Sequence, residues 1–134
     1  MARIFFQLLF LLSVPALPAY LCALPQLTPA PTTPLLPGEI RPATAKLWKE
    51  RVLWVDYRPN PHFSKQRIPG AVSCPPEEFS QRHPEVLARW SHEKAVVLYG
   101  DSEAVGHALA ERFRQELNLE TVYVLKGNWR EWNR

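Results

Sequence analysis

Residues 95–117 read AVVLYGDSEAVGHALAERFRQEL, and this stretch decides the fold of the chain. The first five residues form a continuous apolar run, which is typical of a parallel strand buried on both faces. Val105, Leu109, Phe113 and Leu117 then recur at helical spacing between polar side chains. A strand, a short glycine-bounded turn and a helix predict an α/β fold with backbone N–H groups directed at the turn. We therefore expect a functional site at this turn.

Three further segments carry motifs in a consistent order. Residues 53–58 read LWVDYR, residues 67–72 read RIPGAV, and residues 121–129 read TVYVLKGNW. They resemble the first strand, the HIPGA segment and the closing LxGGW strand of a single rhodanese-like (sulfurtransferase) domain. The resemblance covers about residues 40–132. It implies a three-layer α/β domain with a five-stranded, mostly parallel sheet flanked by helices.

The turn departs from this family at the position that carries its chemistry. In rhodanese-like sulfurtransferases, a cysteine directly after the central strand carries sulfur, and an arginine commonly lies across the loop. This chain has Gly100 at the first position and Val105 or Gly106 at the second. Glycine offers no nucleophile, so the resemblance implies no catalytic residue and a domain without the usual chemistry. The candidate binding residues of this degenerate loop are Gly100, Asp101, Ser102, Glu103, Ala104, Val105 and Gly106.

The polar residues of the turn also have a structural explanation. Asp101 and Ser102 are residue types preferred as helix N-caps, and Glu103 is favourable against the helix dipole. Carboxylates here would raise the pKa of a neighbouring thiol and would repel anionic substrates. We interpret the three residues mainly as helix-capping residues, and we expect anion binding by the turn to be weak.

The N-terminal segment, residues 1–24, predicts export. Arg3 precedes the apolar run of residues 4–12, as in a secretory signal, and alanines at positions 16, 19 and 23 offer cleavage positions. Alternatively, the apolar stretch continues to Leu24 and reaches the roughly 20 residues that span a bilayer. The sequence favours neither a cleaved signal peptide nor a retained membrane anchor. Both place the domain outside the cytoplasm, either periplasmic (extracytoplasmic) or membrane-anchored and facing outward.

Residues 25–42 are rich in proline and threonine and almost without charge. This composition favours an extended polyproline II conformation, so it predicts a linker ahead of a domain in residues 43–134. The segment also contains P-x-x-P matches at residues 31–34 and 34–37. A ligand for a proline-binding partner is therefore the less favoured alternative to a spacer.

Local signals predict the remaining elements of the domain. Asp56 follows a predicted strand and is either a site residue or, as the resemblance implies, a partner of Arg58 that fixes the next loop; we favour the second. We also expect Trp129 and Trp132 to pack a terminal helical turn onto the sheet. The other predictions are a helix over residues 44–50 capped by Thr44, a turn at residues 59–61, a short strand over residues 71–74, and a helix restarted at Pro84.

Cys74 is the only cysteine of the predicted domain, and it lies on the predicted strand of residues 71–74. It is open to interpretation as a displaced sulfur carrier. The alternative function is therefore an atypical sulfurtransferase that uses Cys74 or a cysteine of a partner. A lone cysteine on a core strand is more often a small buried hydrophobe, and we favour that interpretation.

Cofactors, metals and nucleic acids are not predicted. The four histidines lack ligand spacing with one another or with Cys74, and His107 is expected to be solvated. The 16 basic and 13 acidic residues are mixed along the chain without a basic stripe. The predicted partner is an unidentified envelope protein or a small ligand, with the membrane added if the N-terminal segment is retained.

Overall fold

The computed structural model describes residues 34–133. The predicted signal or anchor of residues 1–24 and most of the predicted linker, residues 25–33, lie outside the described residues. No helix within residues 34–133 is long and apolar enough to cross a membrane.

One five-stranded sheet forms the centre of the domain, and every strand pairing in it is parallel. The strand order is β1-β5-β4-β2-β3, so the predicted central strand, β4, does lie in the middle. The predicted α/β architecture with a mostly parallel sheet is confirmed. The strands are β1 (Glu39–Ile40), β2 (Val52–Asp56), β3 (Val72–Ser73), β4 (Ala95–Tyr99) and β5 (Val122–Leu125).

Helices cover both faces of this sheet. Alternate residues of β4 therefore belong to two different buried clusters, one on each face. Val96 and Leu98 pack with Phe113, whereas Val97 and Tyr99 pack with Trp129. Burial on both faces explains the continuous apolar run in β4. The helices are α1 (Pro42–Leu47), α2 (Asn60–Lys65), α3 (Phe79–Arg89) and α4 (Glu103–Leu117), with 3-10 segments at Lys49–Arg51, Pro76–Glu78 and Trp129–Asn133.

The end of the predicted linker belongs to the folded domain. Glu39 and Ile40 pair with Val124 and Leu125 of β5, and α1 already begins at Pro42. The prediction of Thr44 as a cap is wrong: Arg41 holds the N-cap position, and Pro42 begins the helix because its missing N–H is not needed there.

At two other prolines the observed secondary structure differs from the predicted one. The predicted turn at residues 59–61 is the start of α2, with Pro59 at the N-cap position, since prolines are compatible with a first helical turn. Helix α3 continues through Pro84 instead of restarting there. Phe79 and Val86, which are both buried, hold the two ends of this helix against the same core cluster.

Candidate functional site

Residues 100–106 connect β4 to α4 at the carboxyl end of the central strand. Because α4 begins at Glu103, only the first three of these residues form the turn. Ser102 occupies the N-cap position with an extended backbone, but its side chain makes no capping hydrogen bond. The capping prediction is therefore right for the position of Ser102 and wrong for Asp101, while Glu103 lies in the first helical turn as expected. Ala104, Val105 and Gly106 are helical.

A tyrosine that the sequence analysis did not single out fills the space beside this turn. Tyr57 directly follows β2 and is only 5% exposed. Its hydroxyl donates a hydrogen bond of 2.7 Å to the carbonyl oxygen of Ser102. A Cβ atom on Gly100 would lie 2.6 Å from Cδ2 and 2.7 Å from Cζ of the Tyr57 ring, and a Cβ atom on Gly106 would lie 3.0 Å from its hydroxyl oxygen. The ring thus occupies the volume that side chains at these two glycines would need.

The electrostatics of the turn keep this tyrosine neutral. Burial raises the pKa of Tyr57 well above its ordinary value, and the negative charges of Glu103, Asp101 and Asp56 raise it further. The phenol therefore stays protonated and remains a hydrogen-bond donor. Its ring lies against both glycines, so an aromatic side chain fills the space beside the turn.

The position of Tyr57 follows from the strand register. Asp56 of β2 pairs with Tyr99 of β4, so the next residues along the two strands, Tyr57 and Gly100, are neighbours. The sequence signal was a large aromatic residue in the middle of the DYR motif, directly after a buried strand. The position of this tyrosine beside Gly100 can be inferred only when the register of the two strands is known.

Asp56 and Arg58 form a buried ion pair. Arg58 Nη2 donates to Asp56 Oδ2 at 2.7 Å, Arg58 Nε donates to both carboxylate oxygens at 3.1 Å, and the Arg58 backbone N–H donates to Oδ1 at 2.8 Å. Arg58 also donates to the carbonyl of Gln66, and its guanidinium lies 4.4 Å from the ring centroid of Trp129. The pair joins β2 to the following loop, as predicted. Both carboxylate oxygens are occupied by Arg58, so Asp56 offers little to a ligand.

A second polar cluster connects β1, α4 and the end of β5. The Glu39 side chain is 1% exposed, accepts a hydrogen bond of 2.8 Å from the Leu36 N–H, and has His107 Nε2 2.9 Å from Oε1. Lys126 Nζ lies 3.0 Å from Glu103 Oε2 and 3.9 Å from Glu39 Oε2. The prediction that His107 is merely solvated is therefore wrong. The cluster explains how a two-residue strand such as β1 is retained at the edge of the sheet.

Glu39→Gln is expected to destabilise the domain by about 1 kcal/mol at pH 7, because a neutral amide makes weaker hydrogen bonds than a carboxylate. The Leu36 N–H and then His107 lower the pKa of Glu39 below its usual 4.5. A carboxylate with a lowered pKa stabilises the fold above its unfolded value of 4.5, and loses that contribution as pH falls through the folded pKa. Urea unfolding from pH 7 to pH 3 should therefore show the difference between wild type and variant shrinking below pH 4.5.

The matched control for this experiment is Glu120→Gln, which removes the same charge from an exposed position. We expect this control to change the unfolding free energy by less than about 0.5 kcal/mol at every pH. A Glu39→Gln difference that did not depend on pH would contradict the role assigned to the carboxylate.

Cys74 lies in the core and not at a solvent-accessible site. It is fully buried among Val72, Phe79 and their neighbours, and its backbone N–H donates to the carbonyl of Asp56 at 2.8 Å. Burial raises the pKa of its thiol to about 11, although Arg112 and Arg82 lower it in part. A thiol in this environment is neither ionised nor accessible near neutral pH.

Within residues 34–133, no group of three or more histidine, cysteine, aspartate or glutamate side chains is arranged to hold a metal ion. This end of the sheet is formed by the loop after β4, the buried Asp56–Arg58 pair and the neutral Tyr57.

An all-parallel sheet with helices on both faces and a glycine-bracketed loop after its central strand is the α/β architecture that the sequence resemblance implied. The sequence profile of the rhodanese-like domain matches residues 41–134 of the chain. The chain therefore belongs to the rhodanese-like family. No curated protein sequence matches it significantly.

Solved structures agree with this assignment. The BH2092 protein from Bacillus halodurans is 26% identical, with 71% of this chain and 72% of that chain covered and a TM-score of 0.55. The rhodanese-like domain of the Alr3790 protein from Anabaena sp. is 19% identical over 73% and 74% of the two chains, with a TM-score of 0.57, and supports the fold alone. A persulfide-bearing variant of EanB with ergothioneine is 26% identical over 65% of this chain and 24% of EanB, with a TM-score of 0.54.

Proposed function

We propose that this chain is a rhodanese-like domain without sulfurtransferase activity of its own, which acts as a binding or regulatory module. The observation that supports the proposal is the packing of the Tyr57 ring against Gly100. The resemblance puts the sulfur-carrying cysteine of the family at Gly100, and a reactive thiolate needs free space for its substrate. Position 100 therefore lacks both the nucleophile and the volume beside it.

Cys74 does not replace the missing nucleophile in this proposal. EanB, to which the chain is similar, carries a persulfide on a cysteine in its solved structure. Chemistry of that kind requires an accessible thiolate, whereas Cys74 is buried and its pKa is raised to about 11. The alternative, an atypical sulfurtransferase that uses Cys74 or a partner's cysteine, would need the core to open or a second protein to supply the thiol.

The 134-residue chain is expected to transfer no sulfur from thiosulfate to cyanide above a control without protein, because the loop after β4 has no thiol. The Cys74→Ala variant is assayed beside it. Turnover by the wild type that disappears in this variant would contradict the proposal and support the alternative function. Turnover that survives in the variant would be attributed to a contaminating enzyme, and further purification should remove it.

The proposed location of the domain is outside the cytoplasm, in an envelope compartment. The support is the apolar run after Arg3 followed by the proline-rich segment of residues 25–42. A reporter enzyme that is active only in the cytoplasm, fused after Arg134, is expected to stay silent. The same fusion without residues 1–24 is the control and should become active. A strong signal from the complete chain would contradict export.

A further inference from the structure

A cavity of about 870 Å³ lies at the other end of the sheet from residues 100–106. It is placed where β2 and β4 begin, and its walls come from the segment that joins α1 to β2 and from the turn before β4. Positively and negatively charged side chains line it, together with one aromatic residue and one exposed apolar residue. The residues that matter for the inference are Leu47, Trp48, Lys49, Arg51, Glu93 and Lys94.

Two cations directly precede neighbouring strands at the wall of this cavity. Val52 of β2 pairs with Ala95 of β4, and Arg51 and Lys94 directly precede these paired residues. Like charges that lie close together are unfavourable unless an anion compensates them. Within residues 34–133, the guanidinium of Arg51 has no hydrogen bond or ion pair, and the ammonium of Lys94 donates only to the carbonyl of Arg89, at 3.4 Å.

Two carboxylates, Glu50 and Glu93, also line the cavity, but among the described residues neither forms an ion pair with Arg51 or Lys94. Arg51 and Glu93 line a smaller recess of about 300 Å³ together, yet no ion pair joins them. Lys49, on the same wall, has a φ of 51°, which is a left-handed conformation uncommon for a residue other than glycine. The backbone therefore holds a cation at the cavity in a conformation of raised energy.

An aromatic surface lies beside the cations. The rings of Trp48 and Tyr123 meet edge to face with centroids 5.4 Å apart. These two residues line an adjoining cavity of about 260 Å³, together with Arg51 and Lys94. Flat apolar walls with a few placed charges are the usual composition of a small-molecule site. On the outer rim, Leu47 is 77% exposed.

We propose that this cavity binds small organic anions. The carboxylate or phosphate group of the ligand lies between Arg51 and Lys94, and its flat apolar body packs on Trp48. Such a ligand removes the repulsion between the two cations and buries aromatic surface, so both parts contribute to binding. The site lies apart from the turn after β4, and the inference does not depend on the absence of sulfurtransferase activity.

The test is a titration of the isotope-labelled 134-residue chain with phenyl phosphate at pH 7, followed by amide and indole nuclear magnetic resonance signals. We expect saturable shifts at residues 48–51 and 93–95 and at the Trp48 indole. Inorganic phosphate should bind more weakly than phenyl phosphate, and benzyl alcohol, which is aromatic and neutral, should bind more weakly as well. Arg51→Gln is expected to raise the dissociation constant about tenfold, the loss of one charged hydrogen bond.

The matched control is Arg67→Gln, which removes an equal charge from an exposed residue at the opposite end of β4, where the N–H of the neighbouring Ile68 donates to Tyr99. The dissociation constant of this variant should stay within about twofold of the wild type, because the charge it removes is at the other end of the sheet from the cavity and is screened. Shifts that do not saturate, or an equal loss of affinity in both variants, would overturn the proposal. Inorganic phosphate binding as tightly as phenyl phosphate would contradict the role of Trp48, and benzyl alcohol binding as tightly would contradict the role of the cations.

Discussion

Gly100→Cys is expected to lower the free energy of unfolding by about 3 kcal/mol, because the new side chain and the Tyr57 ring need the same volume. The Cβ atom would lie 2.6 Å from Cδ2 of that ring, and the Tyr57 hydroxyl is bonded to the Ser102 carbonyl, so the ring is not free to move away. Urea unfolding at 25 °C measures the change. The space on which catalysis in this family depends is thus expected to be closed even when its nucleophile is restored.

Three further variants isolate the cause of this loss. Ala104→Cys introduces the same side chain at an exposed position in the first turn of α4 and should change stability by less than about 0.5 kcal/mol. Tyr57→Ala alone creates a cavity and should cost about 3 to 5 kcal/mol. The double variant Tyr57→Ala with Gly100→Cys should be at least about 1 kcal/mol more stable than additivity predicts, since the two changes share one space. Strict additivity would mean that the ring does not occupy this volume.

Arg58→Leu is expected to destabilise the domain by about 3 to 5 kcal/mol, because it leaves the Asp56 carboxylate buried without its cation. Asp56 is fully buried, and the guanidinium of Arg58 donates to both of its oxygens. The same change removes the contact of the guanidinium with Trp129. A loss of this size is a large part of the 5 to 15 kcal/mol typical of a small domain, so it is measured by chemical unfolding at 25 °C.

The double variant Asp56→Leu with Arg58→Leu tests whether the loss comes from the unpaired charge. Replacing both partners of a buried pair with apolar residues is often close to neutral, so this variant should recover much of the stability lost in Arg58→Leu. Arg89→Leu, at an exposed ion pair with Glu85, is the control and should cost less than about 1 kcal/mol. An equally small effect of Arg58→Leu would show that the buried pair does not hold the loop after β2.

Local periodicity was sufficient to predict the elements around the central strand. The apolar run of β4 is buried on both faces, and the spacing of Leu109 and Phe113 gave the core face of α4. Proline positions were less informative, because a proline is compatible both with a turn and with the first turn of a helix, as Pro61 and Pro42 illustrate. Strand β1 has only two residues, and a pattern of that length has no recognisable period.

The sequence by itself determined the α/β class, the family and the glycine at position 100, because each depends on residue types and on order along the chain. Only the tertiary structure decided what surrounds that glycine. The parallel register of β2 and β4 brings Tyr57 beside Gly100 at one end of the sheet and Arg51 beside Lys94 at the other. Both pairs join residues about 43 positions apart, and register between distant strands is set by packing of the whole core, which no local pattern records.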